Sequence, residues 1–253
     1  MATIETEHIK NWEDLSLLIN DYFTHFNNYV FRGQGCESWL LEPTLSRALK
    51  QAGYKKTKKK VAIEQHLSKF KENIRGRINL NFDSASDDEF WALGQHFGLA
   101  TPLLDWTRSP YVALFFALIG SEKNENSVLY AVLEEDIESI NSEKHGKQKN
   151  VHTVNPLTHY NDRLVNQRGI FLHIPVQVNF EKWVESGKEC GWITMYKITF
   201  PSSIKEQTLA ALNNMNINYL SLFPDIHGSC YHSNFETSIE PYLDRNRKKL
   251  YEE

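Results

Sequence analysis

The chain has 253 residues, 41% hydrophobic and 24% charged, with a formal net charge of −4 at pH 7. A chain of that length buries a core without disulfide or metal staples, and its composition is that of a globular protein rather than a disordered one. The acidic balance excludes a general electrostatic attraction for nucleic acid or an anionic membrane.

Met1 to Lys10 carries Glu5 and Glu7 and no apolar run, unlike a signal peptide. Trp12, Leu15, Ile19, Tyr22, Phe23 and Phe26 then recur at three- and four-residue steps. Asn11 stands where it caps them, and Glu13 and Asp14 put negative charge in the first turn. This predicts an amphipathic helix over 11–27. Tyr29-Val30-Phe31-Arg32 reads as a strand ending at Gly33. Residues 34–60 read as mostly irregular, broken at Pro43, with the lysine run at 55–60 a solvated loop. Val61 to Ile74 predicts a helix. Ser86-Asp87-Asp88-Glu89 is a capping box followed by Phe90, Leu93 and Phe97 on one face, with Gly98 as the left-handed stop.

Leu103-Leu104-Asp105-Trp106 is short and apolar, the pattern of a buried strand. Ser109 as N-cap and Pro110 as first helical residue open a helix that is apolar nearly throughout. Its run from Tyr111 to Ile119 should be buried on most sides and is too short to span a bilayer. Ser127 to Leu133 reads as a strand, and Glu134 to Val154 as a polar surface insertion. Ile170 to Ile174 and Trp192 to Phe200 read as strands. Ser203-Ile204-Lys205-Glu206 offers a second capping box before Thr208, Ala211, Leu212 and Met215. Tyr219 to Phe223 reads as the last strand, and the charged tail from Asp244 as a fraying end.

No repeat or linker divides this order, so one domain is expected over 1–253. Strands and helices do not alternate regularly. The expectation is therefore an α+β fold, a mixed and mostly antiparallel sheet with flanking helices. Cys36, Cys190 and Cys230 form no C-x-x-C pair, which fits a reducing, cytoplasmic setting.

Four constellations carry candidate chemistry. Arg32 closes an apolar strand, and its planar donor fork suits a phosphate or carboxylate. Gly33 next to it lets a ligand approach the backbone, and Gln34 follows. The alternative is a structural ion pair between Arg32 and a buried acid such as Asp105. The second runs from Gln95 to Pro110. Asp105 and Arg108 lie in an apolar stretch that is costly for charge unless partnered, and His96 is either a core histidine or a base. In the third, Arg163, Asn166, Gln167 and Arg168 precede a strand and form either a pocket edge or a turn. In the fourth, Asp225, His227, Cys230 and His232 match no zinc spacing, so no metal is expected. The lysine run can also meet nucleic-acid phosphates. No P-loop, G-x-G-x-x-G, G-x-S-x-G or H-E-x-x-H is present.

At these motifs the sequence resembles the FRG domain, named for its Phe/Tyr-Arg-Gly signature. Tyr29-Val30-Phe31-Arg32-Gly33-Gln34 carries the signature, and Trp39 through Pro43-Thr44-Leu45 resembles the stretch after it. The block from His96-Phe97-Gly98 to Ala117 is the closest match. Gln167-Arg168-Gly169-Ile170-Phe171 and Leu222-Phe223-Pro224-Asp225 resemble later segments, so the likeness covers about residues 29–230. Such domains are found largely in bacteria and their mobile elements.

The layout is similar to that of ADP-ribosyltransferases: an Arg on the first core strand, a Ser-containing strand entering an apolar helix, then an acid on a later strand. That resemblance implies NAD as ligand and a role in conflict between bacteria and phage. Arg32 would hold the phosphates, Ser109 would position the nicotinamide side, and Trp106 would offer a stacking surface. The late position falls at Gln167, which supplies no carboxylate, leaving Asp105 or Asp225 to stabilise the sugar cation. The alternative is a non-enzymatic sensor in which Arg32 and Arg163 clamp a phosphorylated ligand or a protein partner. A third reading, a nucleic-acid-acting defence effector, would need clustered acids for metal.

Overall fold

The computed structural model describes residues 3–23, 25, 28–77, 85–143, 151–156, 162–186 and 194–252. Phe26, Cys190, Trp192 and residues 144–150 of the predicted insertion lie outside them. Seven strands form one sheet in the order β1-β7-β4-β2-β3-β6-β5. They are β1 (Thr3–His8), β2 (Tyr29–Gln34), β3 (Leu103–Thr107), β4 (Asn126–Leu133), β5 (His152–Val154), β6 (Gly169–His173) and β7 (Thr194–Pro201). Every pairing is antiparallel except β1 with β7. The α+β class with a mostly antiparallel sheet is therefore as expected.

The alternation of side chains along β2 divides the core. Phe31 points to one face, where it meets α1 (Trp12–Phe23) and α5 (Pro110–Ile119) through Leu15, Ile19, Ala113 and Ala117. Val30 points to the other face and joins Tyr130, Trp106, Ile170 and Phe180. A third cluster sets α2 (Thr44–Gln51), α3 (Lys56–Asn73) and α4 (Asp87–His96) against Leu103 and Phe171. β4 is buried from Ser127 to Val132, which explains its unbroken apolar reading. The remaining helices are α6 (Glu134–Glu143), α7 (Asp162–Asn166), α8 (Phe180–Ser186), α9 (Lys205–Asn214), α10 (Tyr219–Leu222) and α11 (Ile226–Glu252). No described helix is long and apolar enough to cross a membrane.

Local signals hold where a backbone group needs a partner. Asn11 Oδ1 accepts from Asp14 N, Ser86 and Glu89 form the full capping box, and Gly98 has φ +87°. Ser109 caps α5 with Pro110 behind it. Other expectations fail for physical reasons. β2 runs on through Gly33 to Gln34, because β4 pairs along its whole length. The predicted irregular stretch contains α2, and the lysine run opens α3, since lysine is a good helix former when its charge stays in solvent. Much of the predicted insertion is α6 and the edge strand β5. The second capping box does not form: Ser203 lies in a 3-10 turn, and α9 starts after it without a side-chain cap. Tyr219–Leu222 is helix rather than strand, because Asn218 and Ser221 make a reciprocal cap. The charged tail continues α11, braced by Arg245 on Glu206.

Candidate functional site

β2 registers with β4 at six positions but with β3 at only one, Phe31 opposite Thr107. Beyond that pair the two central strands share no ladder, and a hollow of about 740 Å³ lies between and above them. A cavity of that size suits a small-molecule ligand. β2 supplies Arg32 and Gln34, β3 supplies Asp105 and Thr107, and α5 closes the floor with Ala113 and Phe116. Trp39 and Arg47 stand on one side, with Arg163, Gln167 and Phe223 on the other.

The three signature residues divide their work by direction. Phe31 is core. Gly33 faces α5, where an added Cβ would sit 1.8 Å from Ala113 O, and Gly35 is in the same position against Gly120 O at 1.9 Å. The glycines therefore admit the helix, and both also line the hollow. Arg32 lies on the opposite face of β2 and reaches across the split. Its Nη1 donates to the backbone carbonyl of Asp105 at 2.5 Å, bridging strands where the ladder has stopped.

Arg32 makes no ion pair among the described residues, so the structural pairing with the Asp105 carboxylate does not occur. Burial lowers the pKa of its guanidinium, opposed by Asp105 and reinforced by the nearby Arg47. An arginine nonetheless stays charged. Three atoms of wall residues, Arg32 Nε, Gln34 Oε1 and Trp106 Nε1, are buried without a hydrogen-bond partner. An unmet buried polar group costs about 1–3 kcal/mol.

Asp105 is exposed to the hollow, and its carboxylate is oriented from behind. Gln95 Nε2 donates to Asp105 Oδ1 at 3.0 Å, and Thr101 Oγ1 donates to Gln95 Oε1. Thr101 is fully buried and held by Thr44 Oγ1, which accepts from its backbone N–H at 2.9 Å. This chain from α2 through α4 to β3 sets the acid's direction. His96, next on α4, is half-buried. Burial and then the Arg163 cation push its pKa below the ordinary histidine value, which keeps the ring neutral at pH 7.

The other predicted residues separate. Ser109 is not in the wall: its Oγ accepts from Val112 N at 3.4 Å as the cap of α5. Gln167 is in the wall, but its Nε2 donates to Leu222 O at 3.0 Å and its backbone carbonyl accepts from Thr107 Oγ1. Trp106 borders the hollow with its indole buried edge-on against Phe180, so it offers no open stacking face. Arg163 lines the wall with its charge already met by Asp225, which also accepts from Gly228 N at the start of α11. Asp225 itself is outside the wall. Arg108 pairs with Glu134 at 3.1 Å and braces the end of β4. Asp225, His227, Cys230 and His232 form no group of metal donors among the described residues.

Sequence reasoning misses Arg47 and Trp39 as wall residues, and it includes Gln95 in the second constellation without giving it a role. Arg47 is hidden because residues 34–60 read as irregular, although the spacing of Leu45 and Leu49 signals the buried face of α2. Trp39, 46% exposed beside the hollow, is the open aromatic face that Trp106 is not.

No curated protein and no solved structure matches the chain. The family model described as the FRG domain matches residues 27–126, from just before β2 to the first residue of β4. That stretch holds the Phe31-Arg32-Gly33 signature and the Asp105 wall, and over it the chain is similar to the FRG domain family.

Proposed function

We propose that the hollow binds an anionic, nucleotide-like ligand, with NAD as the candidate and ADP-ribosyltransferase-like chemistry as the reaction. The supporting observation is Arg32, a cation without an acidic partner, its Nε buried and unmet, on the wall of a hollow that also presents the Asp105 carboxylate. Arg32 and the nearby Arg47 are the phosphate-binding side. Trp39 offers a face for a base or nicotinamide ring. Asp105 stabilises positive charge on the ribose as the glycosidic bond breaks. Nicotinamide leaves with the bonding electrons, and an acceptor nucleophile captures the sugar and releases its proton.

A sensor that binds without reacting is the second reading. Two residues of the transferase layout have other duties: Ser109 caps a helix, and Gln167 tethers Leu222.

Calorimetry with NAD and a nicotinamide-release assay in water distinguish the readings. Arg32→Ala should weaken NAD binding about 10- to 100-fold, the loss of one charge-assisted contact. Asp105→Asn should preserve binding and lower release about 10²-fold or more. Tight binding with no release in the unaltered protein selects the sensor. No NAD binding at millimolar ligand removes both the cofactor and the reaction.

A further inference from the structure

A second cluster of donors lies at the other end of α4, outside the hollow. β5 and β6 place His152 directly opposite His173, so both side chains leave the same face of the sheet edge. Their rings stand 4.9 Å apart, centroid to centroid. Asp88, in the first turn of α4, reaches between them. His152 Nε2 is 2.8 Å from Asp88 Oδ2, and His173 Nδ1 is 2.6 Å from Asp88 Oδ1. One donor atom from each of the three residues lies within 4.8 Å of the others.

The geometry points to a binding site for a divalent transition-metal ion of the zinc class, held by Asp88, His152 and His173. Metal–nitrogen and metal–oxygen bonds of about 2.1 Å around a tetrahedral ion set donors roughly 3.4 Å apart, so adjustments within side-chain freedom bring these three onto one centre. Two imidazoles and one carboxylate are a borderline donor set that favours zinc-like ions over calcium or magnesium. All three residues are half-buried, and a three-ligand site of this kind keeps a position for water.

The two histidines engage one oxygen each, and both carboxylate oxygens keep a further lone pair that can face a metal ion. The site would also clamp the start of α4 to the sheet edge. Gln95, which orients Asp105, is seven residues along the same helix, about 10 Å at 1.5 Å per residue.

The test uses the full chain, stripped with chelator and titrated with Zn2+ alone by calorimetry, then with Co2+ by visible absorption. One equivalent should bind, and the Co2+ spectrum should be that of nitrogen and oxygen donors without a thiolate charge-transfer band. Asp88→Asn, His152→Ala and His173→Ala should each weaken Zn2+ by more than about tenfold, since even outer-shell changes at metal sites reach that size. The Co2+ spectrum needs no variant, so a folding defect cannot mask the answer. No binding by the unaltered chain overturns the proposal. So does a thiolate band, or binding that survives loss of His152 and His173 and disappears with His227→Ala and His232→Ala. NAD binding plays no part in this readout.

Discussion

The charge of Asp88 is strongly set by its surroundings. Its folded pKa lies below that of an unfolded aspartate, through hydrogen bonds from two histidines that overcome burial. A depressed carboxyl contributes stability that is present above the unfolded pKa and is lost as pH falls through the folded one. Below about pH 4 the unfolded chain takes up a proton that the folded chain refuses. In chelator, the unaltered protein should therefore lose stability more steeply between pH 5 and pH 2.5 than Asp88→Asn, measured by urea midpoints across the range. Parallel profiles would show that the two histidines do not hold the carboxylate. Neither the pair nor the acid was legible in the sequence. Asp88 was visible only as part of a capping box, and His152 lay in what read as a polar insertion. Their meeting depends on the β5–β6 register, which spacing along the chain does not encode.

At the scale of elements, α5 and β2 show how sequence dictates the site. α5 is apolar nearly all round because it is enclosed, and its start was legible from Ser109-Pro110. Its close approach to β2 is not legible, because the sequence does not say which face of Gly33 and Gly35 the helix covers. Gly33→Ala places a methyl group against the carbonyl of Ala113 and must move the helix backbone rather than a flexible side-chain end. The expected loss is about 3 kcal/mol, the upper part of the overpacking range. That corresponds to a fall in Tm of about 6–12 °C for a chain of this size. Thermal unfolding by circular dichroism measures it, and an unchanged Tm would mean that α5 does not sit on Gly33. The strand expected at Tyr219–Phe223 failed for a related reason. A short apolar run has no decisive period, and Asn218, read as nothing in particular, decided it for helix by capping.

For the whole molecule, fold class was legible because strand and helix patterns did not alternate, whereas the split between β2 and β3 was not. That split is a property of register: one ladder pair where neighbouring strands share five or six. Arg32 and Asp105 were readable as unusual charges in apolar surroundings. Their common hollow arises only when β4 and β6 hold the two strands from outside. The FRG match ends at Asn126, so it includes β2 and β3 but almost none of β4 and nothing of β6. Within 27–126 the two strands keep only the pair Phe31 with Thr107 between them. α5 in such a piece also loses Ile198, Phe200, Leu209 and Leu212 from its core. Two strands with one ladder pair do not hold a sheet together. A fragment of 27–126 should therefore show no cooperative thermal transition in far-ultraviolet circular dichroism, while 3–252 melts cooperatively. A fragment that melts as a unit would place the determinants of the split within the family segment itself, and the outer strands would then be additions to a finished site.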